Sequence, residues 1–152
     1  MKPILELKNI NKIYGTDIKT QVLYDINLSF EEGSFNSIIG QSGSGKSTLL
    51  NLIGTLDKPT SGDIMINDVS VANMNQSQLA TLRNNTLGFV FQFHYLLPEF
   101  TALENVLMPY EIKHGKITKE VIQKAEEIMD LVGLKKVKNN LATKMSGGQQ
   151  QR

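Results

Sequence analysis

The sequence contains, at residues 40–47, the stretch Gly40-Gln41-Ser42-Gly43-Ser44-Gly45-Lys46-Ser47, which matches the pattern G-x-x-x-x-G-K-[ST]. The short apolar run before it, residues 34–39, is predicted to be a strand. The leucine-rich run after it is predicted to be a helix from Lys46 to about Ile53. A preceding strand and a following helix are the setting in which this pattern forms a phosphate-binding loop. The alternative is a flexible Gly/Ser turn, which does not account for the flanking elements.

The residue types in this stretch suit a bound phosphate. The glycines allow the backbone to curl until its N–H groups point inward, and the helix N-terminus adds positive potential. Lys46 is expected to reach the β- and γ-phosphates, Ser47 to give its hydroxyl to Mg²⁺, and Thr48 to touch the α-phosphate. The predicted nucleotide contacts of the loop are Gly40, Gln41, Ser42, Gly43, Ser44, Gly45, Lys46, Ser47 and Thr48.

Composition limits the possible classes of protein. The chain has 152 residues, 40% of them hydrophobic and 20% charged, which is typical of a globular domain with a core. A net charge of +1 gives no basic surface of the kind that nucleic acid requires, so no nucleic-acid partner is expected. Absence of cysteine excludes disulfides and thiolate metal sites. No secretory signal and no apolar run of ~18 residues is found, so any membrane role is expected to act through a partner.

Short apolar or alternating runs predict further strands at residues 4–10, 22–30, 63–67 and 87–91. In the second of these, the alternation predicts one shared face, formed by Val22, Tyr24, Ile26, Leu28 and Phe30. Three further helices are predicted: at residues 77–85, after a capping box at Thr101 and Glu104, and after Thr118. The last should end at Gly133 and use one face, formed by Val121, Ala125, Ile128 and Val132.

This order of elements predicts an α/β protein. A β-rich region comes first, the strand–loop–helix unit lies within it, and helices follow. We expect the helical region to begin near His94, which gives two domains, an ATP-binding core with a β region at residues 1–93 and a helical part at residues 94–152.

A second glycine-containing motif, Ser146-Gly147-Gly148-Gln149, lies about a hundred residues after the first. Taken alone, it fits a helix cap with Ser146 as the N-cap residue. After a phosphate loop, a serine at a helix N-terminus instead suggests a second anion site. Two phosphate-directed sites in one chain indicate a nucleotide held between two copies.

Together, the two motifs resemble the nucleotide-binding domain of ABC transporters, with Met145 where that family usually has leucine. The resemblance implies an ABC-type P-loop NTPase core, with ATP and Mg²⁺ as cofactors. It implies that Ser146, Gly147, Gly148 and Gln149 contact the γ-phosphate of ATP bound to a second, head-to-tail copy.

Two further site residues rest on the resemblance. Tyr14 is expected to stack on adenine, so that phenylalanine would serve there nearly as well; the alternative is a tyrosine packing on the β region. Gln92 is expected to reach Mg²⁺ and the attacking water, and is therefore counted with Lys46 as catalytic and with Ser47 as a metal ligand.

The stretches at residues 56–62 and 92–106 narrow the resemblance. They are similar to the lipoprotein-releasing ATP-binding subunits of Gram-negative bacteria, whose relatives include macrolide exporters and the cell-division ABC protein. This implies a peripheral subunit on the cytoplasmic face of the inner membrane. It would contact transmembrane permease subunits through the loop after Gln92 and drive release or export of a lipidated or hydrophobic cargo. His94 and His114 are not expected to bind metal.

The family pattern continues beyond Arg152 with a strand ending in Asp-Glu and a later histidine, which supply the general base and a γ-phosphate contact. The 152-residue chain alone is therefore expected to bind ATP weakly at best and not to turn it over. The alternatives are an ATP-binding module that never hydrolyses ATP, and a non-transport ABC ATPase that acts on nucleic acid or protein.

Overall fold

The structure is a computed structural model that describes residues 3–152. The chain divides into two compact units, one ending at Leu87 and the other spanning Gly88–Arg152. The first unit contains β1 (Pro3–Tyr14), β2 (Thr20–Glu31), α1 (Lys46–Ile53), β3 (Ser61–Ile66), β4 (Val69–Ser70) and α2 (Gln76–Thr86). The second contains α3 (Ala102–His114), α4 (Lys119–Leu131), two 3-10 turns (Lys135–Val137 and Ala142–Lys144) and α5 (Gly147–Gln151). The predicted domain ranges 1–93 and 94–152 stay a prediction.

The strands of the first unit form an antiparallel sheet in the order β2-β1-β3-β4. Leu7 of β1 pairs with Leu28 of β2 on one side and with Ile64 of β3 on the other. The expected antiparallel β region is thus confirmed. The buried hydrophobic side chains of this unit come from the sheet, from α1 and from the segment through α2, and they are Leu7, Ile10, Leu23, Leu49, Leu52, Ile64, Ile66, Val71 and Leu79.

The face predicted for β2 is confirmed only in part: Ile26 and Phe30 pack against the core of the first unit, but the face changes near Tyr24 because the β1–β2 ladder shifts register. Asn9 and Asp25 both have positive φ angles, 52° and 44°, and the Asn9 side chain donates to the Asp25 carboxylate at 2.9 Å. A one-residue irregularity moves following side chains to the opposite face of a sheet. Accordingly Leu23 is buried, whereas Tyr24 is 65% exposed.

The predicted strands at residues 34–39 and 87–91 are not strands in the structure. Among residues 3–152, the paired strands are β1 to β4, and neither segment hydrogen-bonds into their sheet. Several of their apolar side chains face solvent, such as Phe35 at 99% exposed and Val90 at 89% exposed. Ile38 and Leu87 are partly buried against the core of the first unit. A strand requires a hydrogen-bonded neighbour, and an apolar run does not by itself supply one.

The helix starts of the second unit are confirmed. Thr101 and Glu104 form a capping box at the start of α3, and the Thr118 hydroxyl caps α4. Gly133, with φ of 74°, follows the end of α4. The predicted face of α4 is confirmed only in part. Ala125 of that face is buried at 6% exposed, but Ile128 is 47% exposed. The buried side of the helix instead includes Met129, which is 1% exposed and packs in the core of the second unit.

Candidate functional site

The loop at residues 40–47 has the backbone that its glycines predict. Gly43 and Gly45 have φ angles of 80° and 89°, in the left-handed region that side-chain-bearing residues rarely adopt. Gly45 is the N-cap residue of α1, and the Leu49 N–H donates to its carbonyl at 2.8 Å. The predicted start of α1 at Lys46 is therefore confirmed.

The N-terminus of α1 is suited to an anion. N–H groups in the first turn of a helix have no acceptor within the helix. No side chain caps α1 in the part of the chain that the structure describes. Since Leu49 and Leu52 are buried on the opposite side of the helix from the exposed Ser47, the core fixes how α1 presents its first turn. The N–H groups of the first turn are hydrogen-bond donors for an anion, and they lie at the positive end of the helix dipole.

Lys46 folds back over its own loop. Its ammonium nitrogen donates to the carbonyl oxygens of Gly40 at 2.9 Å and Gln41 at 2.6 Å, and lies 3.4 Å from the Ser44 hydroxyl oxygen. The three contacts keep the only cation of the motif at the loop, within reach of whatever the backbone N–H groups bind. A carbonyl is a weaker partner for an ammonium than a phosphate is, because the phosphate is charged.

Tyr14 lies at the end of β1, and the structure brings it close to α1. Its hydroxyl donates to the Asp57 carboxylate at 2.8 Å, and the residue is 42% exposed. Partial burial raises the pKa of the Tyr14 hydroxyl and the Asp57 hydrogen bond raises it further, while an interaction with the Thr48 side chain opposes the rise. Tyr14 and Thr48, two of the residues predicted to contact nucleotide, are thus neighbours.

Two residues at this place were not predicted as part of the site, Lys12 and Asp57. The Lys12 ammonium donates to Asp57 at 2.7 Å and to the Lys58 carbonyl at 2.6 Å. Partial burial acts to raise the pKa of the Asp57 carboxyl, but hydrogen bonds from Lys12, Tyr14 and the Lys58 backbone outweigh it, so this pKa lies below its ordinary value. Lys12 and Asp57 lie 45 positions apart, and no pattern in the sequence indicates that they are in contact. The only clue was that Lys12 and Tyr14 are two residues apart on β1, a spacing typical of side chains on the same face of a strand.

Gln92 belongs to the second unit and is exposed, in a segment without regular secondary structure. Around it, aromatic rings contact one another: Phe91 with Phe89 at 5.3 Å between centroids and with Tyr95 at 5.1 Å. The loop is fixed at Leu97, whose backbone N–H and carbonyl both bond the Asn105 side chain. The catalytic and metal roles of Gln92 stay predictions.

The second motif does form the helix cap that its residue types allow. Ser146 is the N-cap residue of α5, its hydroxyl accepts from the Gln149 N–H at 3.3 Å, and its N–H donates to the Gln149 side chain at 2.9 Å. Met145, in front of it, is buried in the core of the second unit. The predicted γ-phosphate contacts of Ser146, Gly147, Gly148 and Gln149 stay predictions.

None of the helices in residues 3–152 has the length and apolar character to cross a membrane. Over the same residues, no group of three or more His, Cys, Asp or Glu side chains is arranged to hold a metal ion.

Comparison with known proteins decides the family. The family model described as ABC transporter matches residues 23–152. The chain belongs to the ABC transporter family. This confirms the resemblance noted in the sequence, and the α/β fold agrees with it: a solved dimeric ABC cassette, MJ0796 in a post-hydrolysis state bound to ADP and Pi, superposes with a TM-score of 0.88 at 40% identity. That match covers 96% of this chain and 65% of the cassette.

Relatives within the ABC family are named lipoprotein-releasing system ATP-binding proteins. LolD 1 of Rhodopseudomonas palustris is 48% identical over all of this chain and 68% of its own length. LolD of Anaeromyxobacter dehalogenans is 44% identical over 99% of this chain and 63% of its own length. The chain therefore spans about two thirds of the length of these relatives.

Proposed function

We propose that this chain is the ATP-binding part of an ABC transporter subunit whose ATP binding and hydrolysis drive release or export of a lipidated or hydrophobic cargo, such as lipoproteins. The observation that carries the proposal is the geometry of the loop at residues 40–47, with Lys46 held over it and α1 starting behind it. The names of the LolD relatives support the lipoprotein cargo.

The residues present fit MgATP. The uncapped N-terminus of α1 supplies N–H donors for the phosphates, and Lys46 supplies a cation that exchanges loop carbonyls for phosphate oxygens. The exposed hydroxyl of Ser47 is the hard oxygen ligand that Mg²⁺ prefers, and the Gln92 side chain would be a second ligand. Bound Mg²⁺ would neutralise charge on the β- and γ-phosphates. Tyr14 would stack on the adenine, and Thr48 would contact the α-phosphate.

Hydrolysis is proposed for the protein in its full natural length. Gln92 would orient the attacking water, and Lys46 would stabilise the charge that builds on the transferred phosphoryl group. A general base must lie within hydrogen-bond reach of that water. We assign no carboxylate of this chain to that role.

The proposed assembly is a head-to-tail pair of subunits, in which Ser146, Gly147, Gly148 and Gln149 of one copy contact ATP on the other. The dimeric state of the solved cassette supports this arrangement. Transmembrane permease subunits are the proposed partners of residues 93–100, where Tyr95 is 72% exposed and Phe93 is 66% exposed. Through them the subunit would sit at the cytoplasmic face of the inner membrane.

The test is MgATP affinity, measured by isothermal titration calorimetry on the full-length protein and on Lys46→Ala. We expect the substitution to abolish measurable binding, because the loop loses its only side-chain cation. Lys8→Ala is the matched control, since Lys8 is an exposed lysine of β1 that pairs with Glu6 at 3.2 Å, outside the loop. Equal MgATP affinity in the wild type and in Lys46→Ala would show that the loop is only a turn.

A further inference from the structure

Three side chains form one connected cluster beside the phosphate loop: Lys12, Tyr14 and Asp57. One carboxylate oxygen of Asp57 accepts from the Lys12 ammonium at 2.7 Å, and the other accepts from the Tyr14 hydroxyl at 2.8 Å. The same ammonium lies 4.7 Å from the centroid of the Tyr14 ring. Tyr14 is therefore held at its hydroxyl end by a hydrogen bond and over its ring by a cation.

Lys12 is the more constrained of the two residues that hold the ring. It is only 8% exposed, and a lysine is rarely buried unless its charge is paired. Its ammonium is bonded to Asp57 and to the Lys58 carbonyl, which fixes the nitrogen over one face of Tyr14. Because Lys12 covers that face, only the edge and the opposite face of the Tyr14 ring are accessible to a ligand.

We propose that Asp57 and Lys12 are positioning residues for the base of the nucleotide: they fix the plane of the Tyr14 ring and leave only the face away from Lys12 for stacking. The proposal rests on the proposed ATP-binding function and deepens it. The proposal gives the Tyr14 hydroxyl a role, because its hydrogen bond to Asp57 orients the ring. Stacking alone would require only an aromatic ring. The position of the ring is thereby tied to the turn that follows α1.

The expected size of the effect follows from side-chain ordering. Immobilising a mobile side chain on binding weakens affinity by a factor of about 2 to 12. Because the cluster holds the Tyr14 ring before the nucleotide arrives, that loss is avoided. Removing the Tyr14–Asp57 hydrogen bond should weaken binding of ligands that carry a base. It should leave the affinity for ligands made of phosphate alone unchanged.

Asp57 also has a structural contact that the test must separate from positioning. Its carboxylate accepts from the Lys58 N–H at 2.7 Å, which stabilises the turn after α1. A purely structural role would lower the free energy of unfolding without changing the ratio of two ligand affinities. Tyr14→Phe removes only the hydroxyl and leaves Asp57 bonded to Lys12 and Lys58. It therefore tests the Tyr14–Asp57 hydrogen bond even where Asp57→Ala fails to fold.

The experiment compares the dissociation constants of MgATP and magnesium tripolyphosphate for the full-length protein and its variants. Asp57→Ala and Tyr14→Phe are each expected to weaken MgATP by about 2- to 12-fold and to leave tripolyphosphate unchanged. The double variant should bind MgATP no more weakly than Asp57→Ala alone, since Asp57→Ala has already removed the hydrogen bond that Tyr14→Phe removes. Glu6→Ala, which breaks the Glu6–Lys8 pair on the same strand, is the control and should change neither constant.

Three results would overturn the proposal: unchanged MgATP affinity in Tyr14→Phe, equal losses for both ligands, or losses that multiply in the double variant. Failure of the proposed function gives a different result, because the wild type would then bind neither ligand.

Discussion

Substitution of Gly45 by alanine tests how the phosphate loop is attached to the sheet. Gly45 is the N-cap residue of α1 and has φ of 89°. A Cβ atom built there would lie 2.9 Å from a methyl carbon of Leu23 and 3.2 Å from the Val22 carbonyl oxygen, both in β2. These distances are shorter than ordinary contacts, so the buried Leu23 side chain, the loop or the strand must shift.

Two effects contribute to the loss of stability expected for Gly45→Ala. Placing a side-chain-bearing residue in the left-handed region costs about 1–2 kcal/mol, and overpacking against fixed neighbours costs about 1–3 kcal/mol more. We therefore expect Gly45→Ala to lower the free energy of unfolding by about 2–5 kcal/mol. Gly43 is the matched control, since its φ is 80° but a Cβ atom added there would have no neighbouring atom within 4 Å. Gly43→Ala should carry the conformational cost alone, about 1–2 kcal/mol.

The assay is equilibrium urea unfolding of the full-length protein without nucleotide, followed by far-ultraviolet circular dichroism. Both variants should lower the midpoint at an unchanged slope, with Gly45→Ala lower than Gly43→Ala by about 1–3 kcal/mol. Equal destabilisation of the two variants would refute the close approach of the loop to β2 at Gly45.

Three further predictions concern the core, a helix cap and the proposed partner surface. Leu52→Ala should destabilise the protein by about 2–5 kcal/mol because Leu52 is fully buried, whereas Leu50→Ala, at a position 55% exposed, should change unfolding far less in the same urea titration. Thr101→Ala should cost about 1 kcal/mol through loss of the capping box, and Thr101→Ser should restore it, with thermal unfolding as readout. Tyr95→Ala combined with Leu97→Ala should abolish pull-down of the permease and leave MgATP affinity intact; normal pull-down would assign these side chains no role in the interface.

The parts of the fold that depend on neighbouring residues could be predicted from the sequence. Glycines in the phosphate loop and the polar caps at Thr101 and Thr118 act on the nearest turn of backbone, so the starts of α1, α3 and α4 follow from them. Antiparallel pairing of the first strands also follows from their alternation and their short connection. In each case the signal and the structure that it determines lie within a few residues of each other.

The parts that failed depend on residues far away in the chain. Residues 34–39 and 87–91 are apolar enough for strands, but pairing needs a partner that local composition cannot reveal. The face of β2 depends on irregularities near Asn9 and Asp25, where two short polar side chains bond across strands. The alternation of apolar and polar residues does not reveal such a shift in strand register.

The candidate site divides in the same way. Lys46 and Ser47 were identified by a local motif, whereas Tyr14 was found only through the family resemblance. Its partner Asp57 lies 43 positions away, and nothing in the sequence indicated that a carboxylate would meet the tyrosine hydroxyl. That hydrogen bond is the observation from which we propose a preference for tyrosine over phenylalanine.

The central claim, that the loop at residues 40–47 holds the phosphates of ATP, is tested most directly by a crystal structure of the full-length protein with Mg²⁺ and a non-hydrolysable ATP analogue. We expect the Lys46 ammonium to leave the carbonyl oxygens of Gly40 and Gln41, which it now contacts at 2.9 and 2.6 Å, and to bond β- and γ-phosphate oxygens. The adenine should stack on the face of Tyr14 away from Lys12. A nucleotide bound elsewhere, or a Lys46 that keeps its loop carbonyls beside a bound nucleotide, would contradict the claim.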